Sequence, residues 1–253
     1  MFDASGKVAL VTGATGGIGE ATVRLLLECN AKVIATGRSP SKLNTIFKNE
    51  NDVFPIKANF SKEKEAKAAI NSSIDQFEKI DYVIHCAGAV GSGCLSDTSL
   101  DEWYKILDIN LTSAFLLCRE AYPILKKTSG SVVLLSSING THGGSNVSGP
   151  VYAISKAGIN NMTRYLAKEW AKDNICVNCL APGFIRTPLT EAGLFSDPKK
   201  VAFLDQRIPM KRGGTPEELT GMALFLVGPG SSYTTGQTFA VDGGFLAGGS
   251  WLD

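Results

Sequence analysis

The sequence predicts an α/β fold: a parallel β-sheet covered by helices on both faces. Three observations predict it. Short apolar runs of strand length alternate with stretches of helical character along the whole chain. The first of these runs leads directly into a glycine-rich turn and then an amphipathic stretch. Finally, 253 residues at 44% hydrophobic content supply one large core, with no Pro/Ser linker or charge block to divide it. The expectation is one domain over residues 1–253.

Taken in order, the first strand is expected at 7–12. Lys7-Val8-Ala9-Leu10-Val11 has the length and β-branched content of a buried parallel strand. Thr12-Gly13-Ala14-Thr15-Gly16-Gly17-Ile18-Gly19 follows. A helix is expected at 17–29, with Ala21, Leu25 and Leu26 on one side. Strand, glycine-rich turn and helix in this order place a pyrophosphate on a helix N-terminus. Gly13 can make the tight turn, and Gly17 and Gly19 let backbone and phosphate approach closely. The spacing is Gly-x-x-x-Gly-x-Gly, not the commoner Gly-x-Gly-x-x-Gly. Further strands are expected near 32–36, 53–57, 81–85, 131–136, 175–180 and 237–241. Further helices are expected near 41–47, 62–78, 99–110, 111–127, 151–172 and 215–227. In such a sheet, ligands bind at the carboxyl ends of the strands.

A second group of residues carries chemistry. Tyr152 and Lys156 stand four apart on a predicted helix and project from one face. Ser137 lies 15 residues upstream of Tyr152. Together they offer a proton donor, a cation to tune it and a hydroxyl to hold a carbonyl. A free tyrosine has a pKa of about 10. Bringing it near 7 takes roughly 4 kcal/mol of preferential phenolate stabilisation, and a nearby ammonium acts in that direction.

These motifs together resemble the short-chain dehydrogenase/reductase superfamily, in the single-domain branch that includes 3-oxoacyl-[acyl-carrier-protein] reductases. The resemblance covers nearly the whole chain. Thr12 to Gly19 resembles its cofactor glycine motif, Asn110 its active-site asparagine, and Ser137, Tyr152 and Lys156 its catalytic core. Pro182-Gly183-Phe184-Ile185-Arg186-Thr187 resembles the segment that holds the nicotinamide end, and Gly236 to Gly244 the C-terminal strand and turn. The resemblance implies a Rossmann-type doubly wound parallel sheet of seven strands in order 3-2-1-4-5-6-7. It also implies a homotetramer, with the helices near 99–127 and 151–172 packed against copies. Gly221, Ala223 and the tail from Phe245 to Trp251 suggest a second interface. Residues 187–210, of mixed polarity and weak periodicity, follow the nicotinamide segment and are expected to form a mobile lid over the substrate. A static pair of surface helices is the alternative.

Cofactor choice turns on the end of the second strand. NAD enzymes usually carry an acid there. This chain reads Ala35-Thr36-Gly37-Arg38-Ser39, and the Arg38 guanidinium can pair with a 2′-phosphate. NADP(H) is therefore expected, with NAD(H) as the alternative. Ala14, Thr15 and Gly16 include none of the basic residues many NADP-dependent relatives carry. The resemblance adds Gly13, Thr15, Gly17, Ile18, Gly19, Asn59, Phe60, Ala87, Gly88, Tyr152, Lys156, Pro182, Gly183, Ile185 and Thr187 as cofactor contacts. Two positions depart from the family. Asn59-Phe60 replaces an acid-containing pair, with the Asn59 carbonyl as a substitute acceptor for the adenine amine. His85-Cys86-Ala87-Gly88 replaces Asn-Asn-Ala-Gly, and Cys86 is read as a difference in stability.

Composition excludes several classes. A net charge of +1, from 25 basic and 24 acidic residues, gives no electrostatic case for nucleic acid or an anionic membrane. No apolar run approaches the roughly 20 residues of a membrane span, and no signal peptide is read, so a cytoplasmic location is expected. Cys176 and Cys179 stand three apart on a predicted strand and point to opposite faces, so no metal site is expected.

The implied chemistry is hydride transfer to a carbonyl carbon, with Tyr152 as general acid, or base in oxidation. Ser137 positions the carbonyl oxygen, Lys156 holds the nicotinamide ribose, and Asn110 holds a water linking Lys156 to solvent or satisfies backbone groups at a helix kink. His142 is read as a solvated loop residue. Substrates range over ketones, sugars, secondary alcohols and acyl-carrier thioesters, with Lys126 and Lys127 as candidate carrier contacts and Asp173 where a basic residue is usual. A non-catalytic dinucleotide-binding scaffold is the alternative of a different class.

Overall fold

The computed structural model describes residues 3–143 and 148–248. Seven strands form one all-parallel sheet: β1 Val8–Thr12, β2 Lys32–Gly37, β3 Val53–Lys57, β4 Tyr82–His85, β5 Ser131–Leu135, β6 Cys176–Pro182 and β7 Thr238–Val241. Their order is β3-β2-β1-β4-β5-β6-β7, as the resemblance implied. The order reverses between β1 and β4, which opens a crevice at their carboxyl ends.

The helices are α1 Gly17–Glu28, α2 Pro40–Ile46, α3 Glu63–Phe77, α4 Leu100–Leu107, α5 Ser113–Thr128, α6 Pro150–Trp170, α7 Pro188–Thr190, α8 Pro198–Arg207 and α9 Pro216–Val227. Proline opens α2, α6, α8 and α9, where its missing N–H costs nothing. Thr215 and Glu218 form a reciprocal capping box at the start of α9.

Successive side chains along the central strands enter opposite faces of the sheet, and both faces are buried. Val8, Leu10 and Ile34 enter a core on one face with Leu117, Leu125 and Ile159. Ala9, Val11, Val33 and Ala35 enter the other with Val23, Leu26 and Leu226. Every strand lies within two residues of its expected limits at either end.

Two regions show detail that the expectations lacked. The helices expected at 99–110 and 111–127 are joined by a π-turn at Asp108–Thr112, with Asn110 buried in it. The stretch expected as a lid holds α7, a π-turn at Glu191–Phe195 and α8. Leu194, Phe195, Leu204 and Ile208 close a small core of their own there, against Phe184, Val201 and Phe245. Val201, Leu204 and Ile208, spaced three and four apart, were the helical signal in that stretch.

Candidate active site

The glycine turn is shaped by contacts that leave no room for side chains. Gly13 has φ +65°, and a Cβ there would lie 2.8 Å from the Ala87 amide nitrogen. A Cβ on Gly19 would lie 2.2 Å from the Gly13 carbonyl oxygen, so α1 packs directly on the turn. Around it opens a cleft of about 300 Å³. Gly13, Thr15, Gly17, Ile18 and Gly19 form its floor, Gly37 and Arg38 one end, Asn59 and Phe60 a side, and Ala87, Gly88 and Thr187 the other end. The structure thus brings these residues together from the ends of β1, β2, β3 and β4.

These residues fit a dinucleotide. The backbone cradle at Gly13, Gly17 and Gly19 suits a pyrophosphate. Arg38 is exposed at the cleft edge, and among the described residues it has no carboxylate partner. One detail departs from expectation. The Asn59 side-chain oxygen already accepts from the Ser61 amide at 3.1 Å and the Ser61 hydroxyl at 2.7 Å. Those two bonds use both lone pairs, so Asn59 lines the cleft but does not offer the acceptor expected for an adenine amine. The Asn-x-Ser spacing was the local signal for this turn.

Beside the cleft lies a second pocket lined by Ser137, Tyr152, Lys156, Pro182, Gly183 and Ile185. It shares Ile18, Gly88 and Thr187 with the cleft. Ser137 follows β5, and its hydroxyl accepts from the Asn139 amide at 3.2 Å. Lys156 is buried; its ammonium donates to the Leu135 carbonyl at 2.7 Å and lies 5.6 Å from the centre of the Tyr152 ring. Burial lowers Lys156 to about 8. Burial also raises the Tyr152 phenol above its usual value, opposed by the Ser137 hydroxyl. These side chains alone therefore do not lower Tyr152, because desolvation outweighs the Ser137 hydrogen bond that opposes it.

Asn110 lines neither space but braces both. Its side chain bonds Ala89 and donates to the Ser155 hydroxyl at 2.9 Å. A Cβ on Gly88 would lie 3.3 Å from the Asn110 oxygen and 3.5 Å from the Lys156 ammonium. The backbone-satisfying reading of Asn110 thus has direct geometry.

On the far side of Ser137 and Tyr152 is a larger cavity of about 550 Å³. Its walls include Val90, Ile138, Phe184, Leu189 and Leu194, with Lys200 the one charged side chain among the described lining residues. Leu189, Thr190 and Leu194 come from the stretch expected as a lid, and sequence reasoning did not single them out. His85 was also missed as a site element. It is buried between Thr12 and Ser113 and lowered to about 3 by burial, then by the Lys156 charge. His142 is exposed and stands edge-on to Phe245 at 6.0 Å. Gly144, Ser145, Asn146 and Trp251 lie outside the described residues.

Other expectations can be placed. Cys176 lies near the Ser232 carbonyl at 3.7 Å and Cys179 near the Asn160 side chain at 3.4 Å, in different surroundings as strand geometry requires. Cys86, packed on Thr22 at 3.9 Å, is pushed up to about 12 by burial. Lys126 is held by Asp173 at 2.9 Å, which also accepts from Tyr122 at 2.6 Å. Among the described residues no helix is long and apolar enough to cross a membrane, and no three His, Cys, Asp or Glu side chains stand as a metal-ligating group.

A family model described as enoyl-(acyl carrier protein) reductase matches residues 13–246. A 3-oxoacyl-[acyl-carrier-protein] reductase of Thermotoga maritima is 37% identical over 246 residues, 95% of this chain and 98% of that protein. A short-chain type dehydrogenase/reductase from Mycobacterium ulcerans superposes with a TM-score of 0.92 at 25% identity, covering 97% of this chain and 92% of that one. A structure from Beutenbergia cavernae superposes with a TM-score of 0.89 at 33% identity, covering 98% of this chain and 99% of that one. It is provisionally assigned as an NAD(P)-dependent gluconate 5-dehydrogenase and holds NADP at low occupancy.

Proposed function

The chain belongs to the short-chain dehydrogenase/reductase family of NAD(P)-dependent oxidoreductases, and from that premise we propose that it moves hydride between NADP(H) and a carbonyl or secondary-alcohol carbon. One observation carries the reading. The pocket of Ser137, Tyr152 and Lys156 opens on one side to the glycine-turn cleft and on the other to the apolar cavity. The three side chains therefore stand where a cofactor and a substrate would meet.

A cofactor held there would supply the hydride and, when oxidised, positive charge that favours the phenolate. Tyr152 gives its phenolic proton to the developing alkoxide in reduction and removes it in oxidation. Ser137 holds the carbonyl oxygen within reach of that proton. Lys156, freed from or sharing its bond to Leu135, holds the ribose hydroxyls and favours the phenolate. Asn110 fixes the loop on which the cofactor rests, and a water beside it links Lys156 to solvent. Pro182, Gly183, Ile185 and Thr187 hold the nicotinamide end.

Arg38, free of a carboxylate among the described residues, supports NADP(H) over NAD(H). The apolar cavity supports a ketone or alcohol with an apolar body. An acyl-carrier substrate is less well supported here, since Asp173 already neutralises Lys126. Residues 187–210 act as a lid, with Leu189 and Leu194 against the substrate. A tetramer is supported by the exposed apolar side chains of α4, α5 and α6, among them Leu100, Tyr104, Phe115, Ile154 and Tyr165. Light scattering at micromolar concentration tests it, and a monomer contradicts it. A panel of ketones and secondary alcohols, with NADPH or NADP⁺ absorbance as readout, tests the function. Tight cofactor binding without turnover of any compound favours the non-catalytic scaffold.

A further inference from the structure

The His85 imidazole sits at the carboxyl end of β4, beneath the cofactor cleft, and almost none of it reaches solvent. Its Nδ1 lies 2.7 Å from the Thr12 hydroxyl, and its Nε2 lies 3.0 Å from the Ser113 hydroxyl. Each hydroxyl has one further partner. The Ser113 hydroxyl donates to the Ile109 carbonyl at 2.6 Å, inside the π-turn. The Thr12 hydroxyl oxygen accepts from the Ala87 amide at 3.3 Å.

Proton counting then fixes the direction of every bond. The Ser113 proton is committed to Ile109, so Ser113 can only accept from His85, and Nε2 carries the hydrogen. A neutral imidazole then leaves Nδ1 as an acceptor, which the Thr12 proton fills. The other tautomer strands the Thr12 proton without an acceptor, and a cation does the same while burying a charge. The chain runs from the Ala87 amide through Thr12, His85 and Ser113 to the Ile109 carbonyl.

We propose that His85 is a positioning residue: as the neutral Nε2–H tautomer it locks the loop at Cys86–Gly88, which lines the cofactor cleft, to the π-turn that carries Asn110. The inference rests on the functional reading above only for its effect on turnover. Its two ends have different consequences. The Thr12 end sets Ala87 and Gly88 against the glycine turn, hence cofactor affinity. The Ser113 end sets the π-turn, hence Asn110 and, through Gly88, Lys156. An asparagine at this position places its amide where Nδ1 stands, reaching Thr12 but stopping short of Ser113. The histidine adds the second tie.

The test combines spectroscopy with a split of two constants. The chain has two histidines, so ¹⁵N-histidine labelling with His142→Gln assigns the signals. His85 should show a protonated Nε2 and an unprotonated Nδ1 from pH 8 to pH 5. A protonated Nδ1 at neutral pH overturns the proposal. His85→Asn should leave the Kd for NADPH within about threefold and lower kcat about tenfold, the size of one lost buried hydrogen bond. Hydrogen exchange should accelerate over 108–112 and not over 86–89. Ser113→Ala should reproduce this pattern, and His85→Leu should add about a tenfold loss of NADPH affinity. Wild-type kcat and exchange in His85→Asn, or equal changes in both segments, overturn the proposal. If the wild-type protein turns over no substrate, the functional reading fails, while the tautomer, exchange and affinity measurements still decide this one.

Discussion

Asn110 grips Ala89 from both directions: its side-chain oxygen accepts from the Ala89 amide at 2.8 Å, and its Nδ2 donates to the Ala89 carbonyl at 2.9 Å. The residue is fully buried, so its loss leaves both backbone groups without partners. Asn110→Ala is expected to destabilise the fold by about 2–4 kcal/mol, from one to two unsatisfied buried groups. Urea unfolding measures it. A change below about 0.5 kcal/mol, as for an ordinary surface position, would contradict the bracing role.

Tyr152→Phe removes the acid and keeps the ring. Turnover is expected to fall by at least about 100-fold, the lower end for loss of a general acid. NADPH affinity should change little, because the phenyl face stays in place. Steady-state rates with a cofactor titration check both halves. Near-native turnover in the Phe variant removes Tyr152 from the chemistry.

Arg38 is expected to give NADPH a preference over NADH on the order of 10- to 150-fold, from a charge-assisted contact of roughly 1.5–3 kcal/mol. Arg38→Ala should erase most of it by weakening NADPH alone, and the effect should shrink with salt. Adding Gly37→Asp should reverse the preference. The structure attaches a cost: a Cβ at position 37 would sit 3.3 Å from the Thr15 methyl, so Thr15 must yield slightly. Fluorescence titration of both cofactors into each variant decides this. Equal loss of both would sink the NADP reading.

Gly19→Ala tests the cradle. Its methyl would meet the Gly13 carbonyl at 2.2 Å, backbone against backbone, so α1 or the turn must move. Overpacking of this kind costs about 1–3 kcal/mol, and cofactor affinity should fall as the turn opens. Thermal unfolding with and without NADPH separates the two effects. Unchanged affinity would mean that the turn does not set the phosphate site.

The stability of the protein should depend on pH through His85. Its folded value is lowered to about 3 by burial, then by Lys156, from an ordinary 6.5. The unfolded chain therefore binds a proton that the native state refuses, and stability rises with pH across that window. The contribution is complete above about pH 6.5 and is lost as the pH falls toward 3. It amounts to about 5 kcal/mol at 1.36 kcal/mol per unit. Urea midpoints between pH 4 and pH 7 should fall steeply for the wild type and less for His85→Asn. Parallel slopes would refute the linkage.

Much of this molecule was legible in its sequence because each strand is a short β-branched run bounded by turns. Val8 to Val11 and Ser131 to Leu135 are buried at nearly every position, so periodicity could not mislead. The turn glycines were legible because no other residue accepts such contacts. A kink at Asn110 was legible, but its form as a π-turn over Asp108–Thr112 was not, since one extra residue leaves composition and local propensity unchanged. The linkage of His85 was not legible either. It depends on Thr12 and Ser113, 73 and 28 residues away, meeting one imidazole. The burial that raises the Tyr152 phenol was not legible either, because desolvation is set by neighbours far along the chain.

The π-turn between α4 and α5 has a consequence for the register of everything after it. One residue of an α-helix turns the chain by about 100°, so a single extra residue rotates the face that α5 presents by that angle. Two helices that follow one another without a break therefore address different neighbours: α4 packs on α6, and α5 packs on α3. The inserted residue works as a phase shifter. It lets one nearly continuous rod serve two layers of packing, with Asn110 buried at the join.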